Sequence, residues 1–386
     1  MEVNTAGTKG GVVFSDHSSK QTKEEKLNKF SRKWIALIGV VGVAALAVFA
    51  ATASGGTSRS HGNAEVAVLL PDTQSSTRWE TADRPFLAAA FKKAGLTYNI
   101  VNAQGSAQTQ QTQAEQAITN GAKVILLVDL DSGSGAAIEK NAKSHGVKVI
   151  DYDRLTLNGY ASYYVSFNNV KVGQLQGQNL VSCLKASGEY SKHPVVAELN
   201  GAPTDNNATL FAQGYNSVLN PLYANGTFKK GPNQSVPNWD NQQALTIFEQ
   251  MLQSTGNKID AVDAANDGLG NAVVSAIKAR HLKPIPVTGQ DATAQGIQNI
   301  ISGYQCVTVY KPVPLEAAAA AKLAISLIKG GKPVGINAQT NDGTHMTPSV
   351  LETPIAVTKA NWQKPIQDGY LKRSDVCTGA YAKFCK

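Results

Sequence analysis

Asp153-Arg154, Asp205-Asn206-Asn207, Asn266-Asp267, Gln290-Asp291 and Lys311 each fall just after a short apolar run. Arg78-Trp79 follow the first such run by a loop, and Trp239 precedes a helical stretch. Carboxylates accept hydrogen bonds, guanidinium and ammonium groups donate them, and side-chain amides do both. A site mixing all three suits a ligand whose own groups donate and accept, which is the property of a sugar hydroxyl. Planar Asp, Asn and Arg groups each span two neighbouring hydroxyls, and an indole offers an apolar face to the C–H side of a sugar ring. Such charge-assisted bonds strengthen in a dehydrated cleft. A single Asp or Asn at such a place is as readily a helix N-cap or a turn residue. Recurrence at so many run ends points to one shared site.

The elements that would position these residues follow from the pattern of the runs. Glu65–Leu70, Tyr98–Asn102, Val124–Asp129, Val147–Asp151, Tyr163–Phe167, Val195–Leu199, Ala261–Ala265, Ile285–Thr288 and Val307–Tyr310 read as strands. Helical periodicity lies between most of them, as in Pro85–Ala94, Thr112–Asn120, Ala137–His145 and Asn271–Arg280. Continuous apolar strands alternating with helices predict an α/β fold with parallel sheet covered on both faces. In such sheets ligands bind beyond the carboxyl ends of the strands, where the polar residues above are found. The strands form two sets, before and after about Asp153, and the length of 386 residues suits two lobes.

Other chemistries are poorly represented. Gly133-Ser134-Gly135 opens a helix with Asp153 downstream, but Ile138 stands where a dinucleotide fingerprint needs its third glycine. There is no G-x-S-x-G, P-loop, H-E-x-x-H or C-x-x-C motif, and the six histidines show no metal spacing, so no metal or cofactor is expected. The net charge of +8 comes from scattered Lys and Arg without an aromatic-interleaved stripe, which argues against nucleic acid as a partner.

Residues 1–33 are polar and read as a disordered or signal n-region. Residues 34–53 are uncharged and largely apolar, with Arg32-Lys33 before them, and are long enough to cross a bilayer. Ala51-Thr52-Ala53 also has the small-x-small form of a signal-peptidase site, so a cleaved signal and a retained anchor are both open. Residues 54–63 read as a linker. Either fate exports the remainder, as a periplasmic, cell-surface or secreted protein. The four cysteines lie in that exported part and allow three disulfide connectivities; Cys377–Cys385 and Cys183–Cys306 are expected, with four independent thiols as the alternative.

The segments SSTRW (75–79), YDRL (152–155), SYYVSFNN (162–169), PTDNNATLF (203–211), AAND (264–267), TGQDA (288–292) and TVYKP (308–312) resemble the periplasmic binding protein type I family, in its pentose and aldose branch. The resemblance runs from about residue 65 to 371. It implies two Rossmann-like lobes joined by a three-crossing hinge, comprising 64–155 plus 312–335 and 156–311 plus 336–386. It implies capture of a monosaccharide, D-xylose or a related aldose, by a monomer that delivers it to the permease subunits of an ABC transporter without catalysing a reaction. Arg78, Arg154 and Lys311 would donate to the sugar, Asp153 and Asp291 would accept, and Asn207 and Asn266 would do both. Trp79 and Trp239 would pack on the ring faces, with Tyr152 and Gln290 in support. Asn168 departs from the family's usual Asp. The resemblance also admits a multiple-sugar receptor for transport or sensing. A reading of another class is a glycosidase using Asp153 and Asp291, which Arg154 disfavours by holding a neighbouring acid ionised. Sugar-responsive repressors share the fold, but here a bilayer-length segment stands where their DNA-binding module would be.

Overall fold

Five apolar runs pair in parallel into one sheet: β1 (Val66–Leu70), β2 (Tyr98–Asn102), β3 (Val124–Leu127), β4 (Lys148–Tyr152) and β5 (Tyr163–Phe167), in the order β2-β1-β3-β4-β5. This computed structural model describes residues 64–385, so the expectations for 1–33, 34–53 and 54–63 lie outside the described residues. Every position of β1 and β3 is buried, and alternate residues face opposite layers. Val66, Val68 and Leu70 pack with α1 (Arg84–Ala94) and α9 (Val313–Ile328), through Leu87, Phe91, Ala317 and Leu323. Ala67 and Leu69 pack on the other side with Ala114 of α2 (Ala107–Thr119) and with Ile138 and Ala142 of α3 (Ser132–Ser144).

The second sheet has the order β7-β6-β8, formed by β6 (Val195–Asn200), β7 (Lys229–Ser235) and β8 (Ala261–Ala264), all parallel. It continues through single parallel bridges, Val262 to Val287 and Gln290 to Val309, to β9 (Thr308–Tyr310), which pairs antiparallel with β12 (Ile355–Val357). The predicted strand Ile285–Thr288 therefore survives only as bridge pairing. Around this sheet lie α4 (Asn169–Ala186), α5 (Asn206–Ala224), α6 (Asn241–Ser254), α7 (Asp267–Ala279) and α8 (Ala294–Ser302). The contact of α4 with α5 depends on Gly173, where a Cβ would stand 2.0 Å from the carbonyl oxygen of Phe211. Cys183 of α4 is bridged to Cys306 before β9, and Cys377 to Cys385 in the C-terminal segment, with Cα separations of 6.4 and 5.9 Å. That segment packs Trp362, Val376 and Cys385 against Ile297, Ile300 and Ile301 of α8.

Strand pairing redraws the expected lobe boundaries at two places. β5 pairs with β4, so it belongs to the first sheet rather than to the segment beginning at 156. β11 (Met346–Glu352) runs parallel to β5 and carries β10 (Ala338–Asn341) on its outer edge, so 338–352 also joins the first sheet. Both strands are half-polar (AQTN and MTPSVLE), without the continuous apolar run of β1 or β3. The chain passes between the sheets three times among the described residues: from β5 to α4, from β9 to α9 and from β11 to β12. Two of these passages are tied together where the Asn168 N–H donates to the carbonyl of Glu352 at 3.2 Å.

Candidate functional site

Asp153 leaves the end of β4 with φ of 64°, a conformation costing a non-glycine residue about 1–3 kcal/mol. Neighbouring groups hold it there. Its N–H donates to Val165 O at 2.8 Å, and its carbonyl accepts from Ser166 Oγ at 2.7 Å and Tyr164 Oη at 3.1 Å. Its carboxylate accepts from Lys311 Nζ (2.9 Å), Arg78 Nη1 (2.7 Å) and Asn207 Nδ2 (3.0 Å). Burial by itself would raise the pKa of this acid, but Lys311, Arg78 and Arg154 outweigh it and hold the carboxyl well below the usual range.

Arg78 is buried beneath this acid. Its Nε and Nη2 donate to the two oxygens of Asp83 at 2.8 and 2.7 Å, and Nη2 also donates to Glu316. Four of the five N–H directions of a guanidinium are thus committed to carboxylates. Arg78 therefore acts mainly by fixing Asp153, a different part from the direct donor expected of it. Tyr152 donates to Asp83 at 2.5 Å and completes the support. Burial pushes the Glu316 carboxyl well up, with Arg78 opposing.

All nine predicted site residues, Arg78, Trp79, Asp153, Arg154, Asn207, Trp239, Asn266, Asp291 and Lys311, line one cavity between the lobes. Ser75, Ser76, Asp205, Phe211 and Gln290 complete its wall. The space these walls leave is narrow, and all nine side chains are almost shut off from solvent. Three buried polar atoms in the wall lack hydrogen-bond partners: Arg154 Nε, Gln290 Oε1 and Asp291 Oδ1. Buried polar atoms are nearly always satisfied, so an orphaned donor and two acceptors in one cavity suit a hydroxylated ligand. Arg154 Nε lies 3.1 Å from Asp205 Oδ2 without hydrogen-bond alignment, and Asp291 Oδ1 lies 3.8 Å from Lys311 Nζ.

The two indoles are fixed by their N–H groups. Trp79 Nε1 donates to Ser75 Oγ at 3.0 Å, and Trp239 Nε1 donates to Asp205 Oδ2 at 3.1 Å. Trp239 has φ of 56° and stands edge-on to Phe211, with ring centroids 6.4 Å apart. Gly201 makes room for it, since a Cβ there would come within 2.0 Å of the indole.

The lobes touch directly around the cavity. Ser76 Oγ donates to Asp291 Oδ2 at 2.9 Å, and Asn266 Nδ2 donates to Ser75 O at 3.2 Å. Asn207 Nδ2 reaches Asp153 from the second lobe. Asn207 is itself oriented by Asn169, whose Nδ2 donates to its Oδ1 at 2.7 Å. Asn168, the departure from the family pattern, caps α4 by accepting from Lys171 N at 3.0 Å. Asn and Asp cap helices equally well, so the lost charge leaves this local task intact. The residues missed as cavity wall were Ser75, Ser76 and Phe211, which sit inside SSTRW and PTDNNATLF. Asp83 and Glu316 lie in helical stretches where nothing in the sequence separates them from surface acids.

The fold and this cavity define an interlobe binding protein, and comparison with known proteins agrees. A family model described as "Periplasmic binding protein domain" matches residues 66–332, and the chain belongs to that family. The D-xylose-binding periplasmic protein of Escherichia coli is 36% identical over 301 residues, covering 78% of this chain and 88% of that protein. The multiple sugar-binding periplasmic protein of Azospirillum brasilense is 32% identical over 321 residues, covering 79% and 89%. Among solved structures, an ABC transporter solute-binding protein from Clostridium phytofermentans with bound β-D-glucose superposes with a TM-score of 0.75 at 28% identity. That match covers 81% of this chain and 99% of the other.

Proposed function

We propose that this chain captures a monosaccharide, D-xylose, outside the cytoplasm by closing its two lobes around it, and delivers it to an ABC-type sugar permease. The observation that carries this reading is the group of unpaired polar atoms on Arg154, Gln290 and Asp291, flanked by two indoles in a cavity of small size. Arg154 and Lys311 would donate to ring or hydroxyl oxygens, Asp153 and Asp291 would accept, and Asn207 and Asn266 would serve both ways. Arg78 would act through Asp153. Trp79 and Trp239 would cover the apolar C–H faces of the ring. The hinge would be the three passages between sheets, and the bonds across the cleft would distinguish a closed form from an open one. A permease that reads only the closed form would then respond only to the loaded protein.

Similarity to xylose-binding proteins supports the choice of sugar. A multiple-sugar receptor is the second reading, supported by similarity to the Azospirillum protein and to glucose-bound structures. A glycosidase fits less well. Asp153 is held ionised by three cations, whereas a catalytic acid needs a raised pKa. Calorimetric titration with xylose, glucose, arabinose and galactose tests the proposal. Tight binding of xylose with much weaker binding of glucose supports a dedicated xylose receptor. Similar binding of several aldoses supports the broader receptor, and no heat from any of them refutes sugar capture.

A further inference from the structure

The edge of the first lobe opposite the cavity has a composition that ligand capture does not use. In a parallel sheet with crossover helices, strands begin and helices end at the same edge. Here that edge gathers Lys92 and Lys93 in the last turn of α1, Lys143 in the last turn of α3, Lys148 at the start of β4, and Lys329 and Lys332 just beyond α9. All six are exposed. Cations at helix C-termini are favoured by the macrodipole, which accounts for some of them. It does not account for Lys148, nor for the scarcity of free opposing charge. Of the carboxylates on the edge, Glu65 is paired with Lys123 at 2.9 Å, and Asp342 is buried and lies 2.9 Å from His345. Glu115 stands about a turn away along α2.

Two of the large exposed apolar or aromatic side chains stand on this same edge: Tyr160 is 41% exposed and Met346 is 55% exposed. Lys143, Lys148, Tyr160 and His345 surround a recess of about 450 Å³. The chain also enters the first sheet here, at Glu65 just before β1. Residues 54–63 separate that entry from the uncharged apolar run 34–53. Those intervening residues span at most about 36 Å, even fully extended.

We propose that this edge docks on an anionic phospholipid bilayer, with the lysines against lipid phosphates and Tyr160 and Met346 at the headgroup level. Lysines clustered on one face are attracted to anionic lipid, and tyrosine favours the membrane–water interface. A basic patch alone binds weakly and reversibly; retention of the apolar run 34–53 as an anchor would raise its local concentration and strengthen it. The docked edge lies across the first lobe from the sugar cavity, so ligand entry stays open. This proposal is independent of which ligand the cavity takes.

The test is lysine acylation of the full chain in vesicles of phosphatidylcholine alone and of phosphatidylcholine with phosphatidylglycerol, read by mass spectrometry. In the anionic vesicles, acylation of Lys92, Lys93, Lys143, Lys148, Lys329 and Lys332 should fall at least about fivefold. It should recover at about 1 M salt, where the Debye length is roughly 3 Å. Lys258 and Lys283 of the second lobe should not change. The combined variant Lys143→Glu, Lys148→Glu, Lys329→Glu, Lys332→Glu should lose protection at Lys92 and Lys93 while keeping its calorimetric response to monosaccharide. Equal acylation in both vesicle types would overturn the proposal. Protection by soluble polyphosphate in zwitterionic vesicles, as strong as by anionic lipid, would also overturn it and assign the edge to a soluble polyanion.

Discussion

Asp153 takes charged bonds from Lys311 and Arg78 and an amide bond from Asn207, with almost no exposure to water. Removing it leaves two buried cations facing one another, so Asp153→Ala should destabilise the protein by about 3–5 kcal/mol, read by urea denaturation. Asp291 differs. It has an unpaired oxygen in the cavity and a single hydrogen bond across the cleft, from Ser76. Asp291→Asn should therefore leave the melting temperature nearly unchanged while weakening sugar binding by about 1.5–3 kcal/mol, the worth of a bond to a charged group. A loss of stability as large as that of Asp153→Ala would mean that Asp291 is structural.

At the scale of elements, the second sheet presents Trp239 through a close approach to Gly201 at the end of β6. A methyl group cannot fit beside the rigid indole. Gly201→Ala should displace Trp239, reducing sugar affinity at least tenfold and altering tryptophan fluorescence on binding, while the first lobe remains intact. The Cys183–Cys306 bridge ties α4 to the chain entering β9 across a sequence separation of 123 residues. Replacing both cysteines by alanine should cost about 2–5 kcal/mol, because a long loop regains freedom in the unfolded chain. Calorimetric melting should place that loss in the second lobe.

At the scale of the whole molecule, pH dependence has two opposed parts. The depressed Asp153 contributes stability above the ordinary carboxylate pKa, lost as pH falls through its folded value. Asp129 is raised to about 7, chiefly by burial, with Arg154 opposing. The fold therefore binds its proton more tightly than the unfolded chain does, so this contribution is full below about pH 4 and lost as pH rises through about 7. Asp129→Asn should flatten the decline in stability between those limits, by about 1.4 kcal/mol per unit of raised pKa. Denaturation midpoints measured from pH 4 to 8 check it; Asp267, likewise raised to about 7 by burial, would keep part of the decline, and an unchanged slope would remove Asp129 as a source.

The α/β class and most of the central strands were legible in the sequence, because buried parallel strands are continuous apolar runs. The nine candidates picked from polar residues near their ends and from the family resemblance come together on one cavity, and their part in binding is the proposal made above. The strands β7, β10, β11 and β12 were not legible in this way. They are short or partly polar and acquire their identity only from the neighbour they pair with. The assignment of β5 and 338–352 to the first sheet was decided the same way, β5 by pairing with its neighbour β4 and β11 by pairing with β5 from far along the chain. Tertiary structure also divided the labour among like residues. Arg78 and Arg154 are both site arginines in sequence, but Asp83 and Glu316 occupy the first, whereas Nε of the second lies near Asp205 without an aligned hydrogen bond. Residue type determines what a side chain can donate or accept; which partners reach it first depends on how the chain packs.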